Sequence, residues 1–374
     1  MKKPFDFYDI QRIGLEHGVA FNKNISWWDA GSEFKAKIRE HLNIPLGLDC
    51  HDYHYSCKVS EQCALSKKLS GLDLINSEAV GVSLFPNGSL ALLNVIRFLK
   101  IYAKRKRLLI IGTPYFSVPL VCQSFGLEYR FAPLPSLDKF RVSAREILSS
   151  DCDCVLFTNP LYCSGIALHS DNRNEVLKVI KSGKLCIFDE CIAPNGHELI
   201  RTLKPNENTI YIYSPLKAIA INGIKFSVVV SSNAIRERII SDSDFFTGSL
   251  TVSTISAIKF FLSKNFDSII DIRREHIKSN LKALRSVLDS ESKLYFDSIF
   301  YTNYVFLQHP CNCDDVGYTL DRVCKKARCL VIPAQASGIS LPPNNFGFRI
   351  NLLLNSDYIK EKVTKIQEVL THTA

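Results

Sequence analysis

Short runs that are apolar at every position recur through the middle of the chain: LLIIG (108–112), CVLFT (154–158), LCIFD (185–189), TIYIY (209–213) and FSVVV (226–230). A strand with one wet face alternates, whereas a strand that is apolar throughout is covered on both faces. The runs therefore predict a largely parallel sheet with helices on either side, an α/β core over about 75–240. Residues 171–183 (DNRNEVLKVIKSG) read as one crossover helix, with a polar start and a stop at Gly183. Beyond this core the texture changes. Residues 251–289 carry helical spacing with many charges, while 300–307 (FYTNYVFL) and 348–354 (FRINLLL) read as strands. Strands plus helices in a separate C-terminal block predict a smaller α+β domain. The first 45 residues show no clear sheet element and are expected to form an arm and a helix that join it. The expected division is 1–45 with the small domain, 46–275 as the large domain and 276–374 as the small one.

Composition narrows the class. The 374 residues are 46% hydrophobic and 22% charged, which excludes disorder or a fibre. No stretch approaches the roughly 20 consecutive apolar residues of a membrane span. The opening MKKPFDFYDI has no apolar region behind its lysines, so no signal peptide is expected. Thirteen cysteines without a CxxC pair read as reduced thiols of a cytoplasmic protein. The 46 Lys+Arg against 37 Asp+Glu leave a charge of +9. The densest basic run, Lys104–Arg107, follows the apolar pattern Leu92, Leu93, Ile96, Leu99 and Ala103 and is expected in the last turn of that helix. No nucleic-acid module accompanies it, so the charge favours an anionic small molecule. Cys50, His51, His54, Cys57 and Cys63 gather soft ligands, but in no zinc spacing, and no metal is predicted.

In an open α/β sheet, ligands bind beyond the carboxyl ends of the strands. The polar residues just after each apolar run are thus the informative ones. Asn159-Pro160-Leu161-Tyr162-Cys163-Ser164-Gly165 follows CVLFT, Asp189 and Glu190 close LCIF, and Ser214-Pro215-Leu216-Lys217 follows TIYIY. An amide, a carboxylate and a lysine on one rim can hold an aromatic, electrophilic cofactor, although each alone also reads as a cap, a turn or a solvated charge. Upstream, Asn87-Gly88-Ser89 opens a helix near Leu90, either as a phosphate cradle or as a simple N-cap. Tyr115, in the loop after another strand, could stack on a flat ring or simply pack.

The order of these segments resembles that of the class I/II aminotransferases, the fold-type-I family that uses pyridoxal 5′-phosphate. The likeness covers roughly residues 75–355 and rests on Asn87-Gly88-Ser89, the turn Asn159–Gly165, Asp189–Ile192, Ser214–Lys217, Lys225 eight residues later, and Phe348-Arg349. The resemblance implies a large domain with a mostly parallel sheet between helices, a smaller α+β domain, and a homodimer. It implies transfer of an amino group between an amino acid or amine and a 2-oxo acid. Decarboxylation, elimination or oxidation on the same fold, and a non-catalytic binding role, remain as alternatives. Lys217 would carry the cofactor as a Schiff base and move the substrate Cα proton. Asp189 would pair with the ring nitrogen, and Tyr115 would stack on the ring. Asn87, Gly88, Ser89, Ser214 and Lys225 would hold the phosphate, with Tyr55 reaching across from a neighbouring subunit. Asn159 and Tyr162 would line the ring's edge, and Arg349 would grip the substrate carboxylate by a two-pronged pair.

Three departures bear on this reading. Tyr162 stands where the family has a second asparagine, Ile192 where it has a tyrosine, and Lys225 where it has an arginine. Both lost residues at 162 and 192 bond the cofactor's phenolic oxygen in the family. The Tyr162 hydroxyl either replaces both donors or packs in the substrate pocket. Lys225 keeps the charge of an arginine without its planar fork.

Overall fold

The computed structural model describes residues 7–20, 24–27, 29–42, 62–70, 80–132, 140–168, 172–193, 199–241, 243, 248–299, 301–312, 315–337, 339 and 341–371. The chain forms two compact units: residues 41–160 with 167–270, and residues 1–40 with 161–166 and 271–374. The hexapeptide 161–166, inside the Asn-Pro turn, goes with the smaller unit, which the sequence pattern gave no means to anticipate.

The larger unit is built on seven strands: β1 (Val80–Phe85), β2 (Arg107–Ile111), β3 (Glu128–Phe131), β4 (Cys154–Thr158), β5 (Leu185–Glu190), β6 (Thr209–Tyr213) and β7 (Ser227–Ser232). Their order is β1-β7-β6-β5-β4-β2-β3. Only β7 runs against the others, antiparallel to both β1 and β6. The reason is local. The link from β6 to β7 holds just one short 3-10 turn, Pro215–Ile219, and lacks the helical crossover a parallel return needs. β3 (EYRF) is a half-wet edge strand with no apolar run, so the pattern did not reveal it.

Strand alternation sorts the side chains. Phe157, Phe188 and Tyr211 lie opposite one another in register and stack at 5.1 and 4.9 Å on one face. Leu156, Ile187, Ile210 and Val229 join a core on the other face with Ala91, Leu92, Val95 and Ile96 of the helix Gly88–Arg97. That helix begins two residues before the expected Leu90, with the Asn87 side chain accepting from the Leu90 N–H at 3.0 Å. It runs into a π turn at Phe98–Tyr102, and Lys104 takes a left-handed φ of 54°. The basic run therefore lies past the helix end, with Arg107 opening β2, and not in a last helical turn. Arg107 bridges Asp151, which gives that cation a local structural use. The expected crossover helix is Arg173–Lys181.

The smaller unit holds an antiparallel sheet in the order β10-β9-β8, with β8 at Lys293–Tyr295, β9 at Tyr304–Pro310 and β10 at Asn345–Asn351. The helical stretch expected over 251–289 is two helices, Val252–Leu262 and Lys264–Arg285. Within the first 40 residues, the helices Phe7–Glu16 and Ser32–Ile38 belong to this unit, and Asn24 forms a parallel bridge with Leu330. No helix among the described residues is long and apolar enough to cross a membrane.

Candidate active site

The carboxyl ends of β1, β5 and β6 bring one group of residues together in the larger unit. β1 ends at Phe85, and Pro86 and Asn87 lead straight into the helix at Gly88. A Cβ added to Gly88 would lie 2.9 Å from Ser214 Oγ, 3.1 Å from Cys191 Sγ and 3.6 Å from Lys217 Nζ. Any side chain here would fill the space these three atoms surround, so glycine is required by close approach. Lys217 Nζ also lies 4.8 Å from the centre of the Tyr115 ring. Lysine, tyrosine, serine and glycine thus meet at one place, from three segments that lie between residues 88 and 217.

The two carboxylates that end β5 part company because a strand alternates. Asp189 shares the face of Ile187 and Cys191, and its Oδ1 accepts from the Cys191 N–H at 3.1 Å. Glu190 points the other way. It accepts from the Asn159 amide at 2.8 Å and from the Leu199 N–H at 2.6 Å. Asn159 Oδ1 in turn accepts from the Leu168 N–H at 2.7 Å. Through one amide N–H and the amide oxygen, Asn159 braces the loops after β4 and β5.

Cys191 is a component the sequence reading passed over. Its Sγ is 3.3 Å from Ser214 Oγ. Burial, reinforced by the nearby charge of Asp189, pushes its thiol far above the ordinary cysteine range despite the opposing Lys217 charge. The thiol is neutral at physiological pH, an inert wall and not a nucleophile. Ser227 was passed over too. Its hydroxyl is bonded to Ser214 Oγ, because Tyr213 pairs with Val228 and the next pair along is Ser214 beside Ser227. Ser89 is exposed in the first helical turn, and Lys225 is exposed on the loop entering β7.

Arg349 belongs to the smaller unit, in the middle of β10 opposite Phe306. It is fully buried, at 0% exposure. Nε and Nη2 donate to the Ser26 carbonyl at 3.0 and 2.6 Å, and Nη1 donates to the Tyr162 carbonyl at 3.0 Å. The guanidinium carbon sits 4.5 Å from the Tyr162 ring centre and 4.4 Å from that of Tyr304. A buried charge is tolerable only with such partners, and two aromatic faces plus two carbonyls supply them. Ser26 is itself fixed: its N–H donates to Asn24 Oδ1, and its hydroxyl links the Arg349 carbonyl to the Ile332 N–H. Tyr304 is raised well above the ordinary tyrosine range, chiefly by burial, so its ring stays a neutral phenol. The Tyr162 ring thus packs against the Arg349 guanidinium. Tyr304 and Ser26 gave no signal in the sequence, being a mid-strand tyrosine and a loop serine.

Tyr55 lies outside the described residues, as do Cys50, His51, His54 and Cys57 and the side chain of Cys63. Among the described residues, no group of three or more His, Cys, Asp or Glu side chains could hold a metal. The cradle fits a phosphorylated aromatic aldehyde: a glycine-lined gap at a helix start, serine hydroxyls for oxygen, a lysine for the carbonyl, a carboxylate and a tyrosine for the ring.

A mostly parallel sheet with a lysine beyond one strand end and a glycine-opened helix beyond another defines an α/β class that binds its ligand at the strand ends. The sequence profile described as aminotransferase class I and II matches residues 38–366, and the chain belongs to that family. It is therefore an aminotransferase, a transferase enzyme of a family that depends on pyridoxal phosphate. Among solved structures, an aspartate aminotransferase double mutant from Thermus thermophilus matches with a TM-score of 0.76 at 16% identity, covering 98% of this chain and 97% of that one. The methionine aminotransferase YbdL of Escherichia coli gives 0.73 at 15%, covering 98% and 97%. A multiple substrate aminotransferase from Thermococcus profundus gives 0.75 at 14%, covering 100% and 96%. At these identities the likeness speaks for the fold. No curated protein sequence matches the chain.

Proposed function

We propose that the cradle of the larger unit binds pyridoxal 5′-phosphate, and that Lys217 is the residue that carries it and serves as the base for amino-group transfer. The observation that carries this reading is the convergence of Lys217 Nζ, the Tyr115 ring, Ser214 and the bare Cα of Gly88 at one set of strand ends. When bound, the cofactor supplies an electron sink for the bond broken at the substrate Cα. Lys217, on the short 3-10 turn after β6, would serve as the general base for the substrate Cα proton. Asp189, held by the Cys191 N–H, supplies the negative charge that keeps a ring nitrogen protonated. Tyr115 covers one face of the ring. Asn87 caps the helix, so that Gly88 and Ser89 present their N–H groups to phosphate, with Ser214 and the Lys225 charge beside them.

Arg349 is the proposed anchor for a substrate α-carboxylate. Its guanidinium is immobilised before substrate arrives, so little freedom is lost on binding. The substrates are an amino acid and a 2-oxo acid, and the neutral, aromatic lining about Arg349 suits a single carboxylate there. We also propose a cytoplasmic homodimer, on family resemblance, with Tyr55 as the residue lent to the neighbour's phosphate.

The test is spectroscopic. The purified protein is loaded with pyridoxal phosphate and its visible band recorded while amino acids are added singly. Loss of the band with formation of pyridoxamine phosphate, and its return on adding a 2-oxo acid, is the expected outcome. Release of carbon dioxide or an unsaturated product without pyridoxamine phosphate contradicts it. Sedimentation at working concentration is expected to give a dimer, and an active monomer would refute that part.

A further inference from the structure

We infer that Ser227 is a cofactor-positioning residue that acts through Ser214, aiming the Ser214 hydroxyl at the phosphate of the bound cofactor. The inference rests on the cradle being the pyridoxal phosphate site. It begins with strand register. In the antiparallel pair of β6 and β7, Tyr213 faces Val228, so Ser214 and Ser227 are the next pair out. On its other side β7 pairs with β1, where Ser227 faces Phe85. The same serine is thus flanked by the strand that leads into Gly88 and by the strand that leads into Lys217.

The direction of the hydrogen bond follows from what each hydroxyl can reach. A serine has one proton to give and two lone pairs to receive with. Ser227 is fully buried, at 0% exposure, and among the described residues its hydroxyl is bonded to Ser214 alone. Were Ser214 the donor, the Ser227 proton would be stranded in a dry site, which proteins avoid. Ser227 therefore donates. Ser214 is then left with its own proton to place, and its second neighbour is Cys191 Sγ at 3.3 Å. A neutral thiol is a weak acceptor, so a phosphate oxygen at the Gly88 gap is the better partner for that proton. Ser227 thus turns Ser214 into a donor with a fixed direction.

This chain has particular need of such a donor. Lys225 attracts phosphate as a point charge but does not orient it, because it lacks a planar fork. Directional contacts have to come from hydroxyls and backbone N–H groups, and Ser227 sits two residues further along, as the buried first residue of β7.

The experiment compares the affinities of the full-length wild type and Ser227→Ala for pyridoxal 5′-phosphate and for pyridoxal, which lacks the phosphate, by absorbance titration. The expected result is a loss of about tenfold for the phosphorylated aldehyde with pyridoxal unchanged within about twofold, since one hydrogen bond to a charged group is at stake. The ³¹P resonance of the bound cofactor is expected to shift, and Ser227→Thr should restore both readouts. If the alanine variant does not fold, Ser227→Cys, nearly the same in volume but a weak donor, gives the same ratio. An unchanged ratio between the two aldehydes, whether both affinities fall or neither does, overturns the inference. A wild type that takes up neither aldehyde would sink the cofactor reading itself, a different failure from an unchanged ratio in the variant.

Discussion

In the larger unit, the cradle's side chains stand at strand ends, the first polar residues after apolar runs. In the smaller unit, Arg349 stands in the middle of β10, held by two tyrosine faces and two backbone carbonyls drawn from segments 26, 162 and 304. The first group is organised by topology: strands of one sheet end on one rim, so residues distant in sequence must meet there. The second is organised by desolvation, since an arginine with no exposure survives only if its surroundings are built around it. Substitutions in the cradle should therefore cost chemistry with the fold intact. Substitutions around Arg349 should cost substrate capture and stability together.

The largest effect is expected at Asp189. Asp189→Asn keeps the shape but removes the charge proposed to hold the ring nitrogen protonated, and turnover should fall by about a hundredfold or more with the melting temperature little changed. Steady-state kinetics alongside thermal melting would check this, and a large drop in melting temperature would show the cradle to be as structural as the arginine site.

Next comes Arg349→Lys. Lysine cannot reproduce three directed bonds or lie flat between two rings. The expected loss is about 10- to 100-fold in kcat/KM for amino acids, mostly in KM, with pyridoxal phosphate affinity spared. Tyr304→Phe keeps the aromatic face and should behave nearly as the parent, whereas Tyr304→Leu should resemble a mild version of Arg349→Lys. Equal losses in the Phe and Leu variants would mean that the phenol, and not the face, matters.

The smallest effect separates the units by pH. His276 and His309, both in the smaller unit, are held below the ordinary histidine value chiefly by burial. His276 contacts Lys37 and Asn280, and His309 contacts Ser292 and Thr371. A histidine kept neutral in the folded state binds its proton more readily once unfolded. Each thus contributes stability that is full above the unfolded pKa of about 6.5 and is lost as pH falls below it towards the depressed folded value. Melting at pH 7.5 and pH 5.5 should show this loss, and His309→Gln should reduce it. A slope that is unchanged in the variant would assign the acid sensitivity elsewhere.

The same contrast explains what the sequence made legible. Five apolar runs mark β2, β4, β5, β6 and β7 within a residue or two, because burial on both faces leaves an unmistakable signature. It also marks the strand ends, and hence Asp189, Ser214 and Lys217. β3, an exposed edge, carries no such signature. Ser227 was hidden because it reads as part of the run FSVVV, and only the β6–β7 register reveals it beside Ser214. Asn159 is fixed by Glu190 and by the Leu168 N–H, a partnership no spacing discloses. Tyr162 and Tyr304 come together only through the way the smaller unit folds around Arg349.

The central claim is that Lys217 is the residue that carries the cofactor. The direct measurement is borohydride reduction of the protein loaded with pyridoxal phosphate, followed by peptide mapping. The account predicts one phosphopyridoxyl group, on the peptide containing Lys217, absent from Lys217→Ala. A label on Lys225 or any other lysine, or no label in a correctly folded and loaded protein, would contradict it.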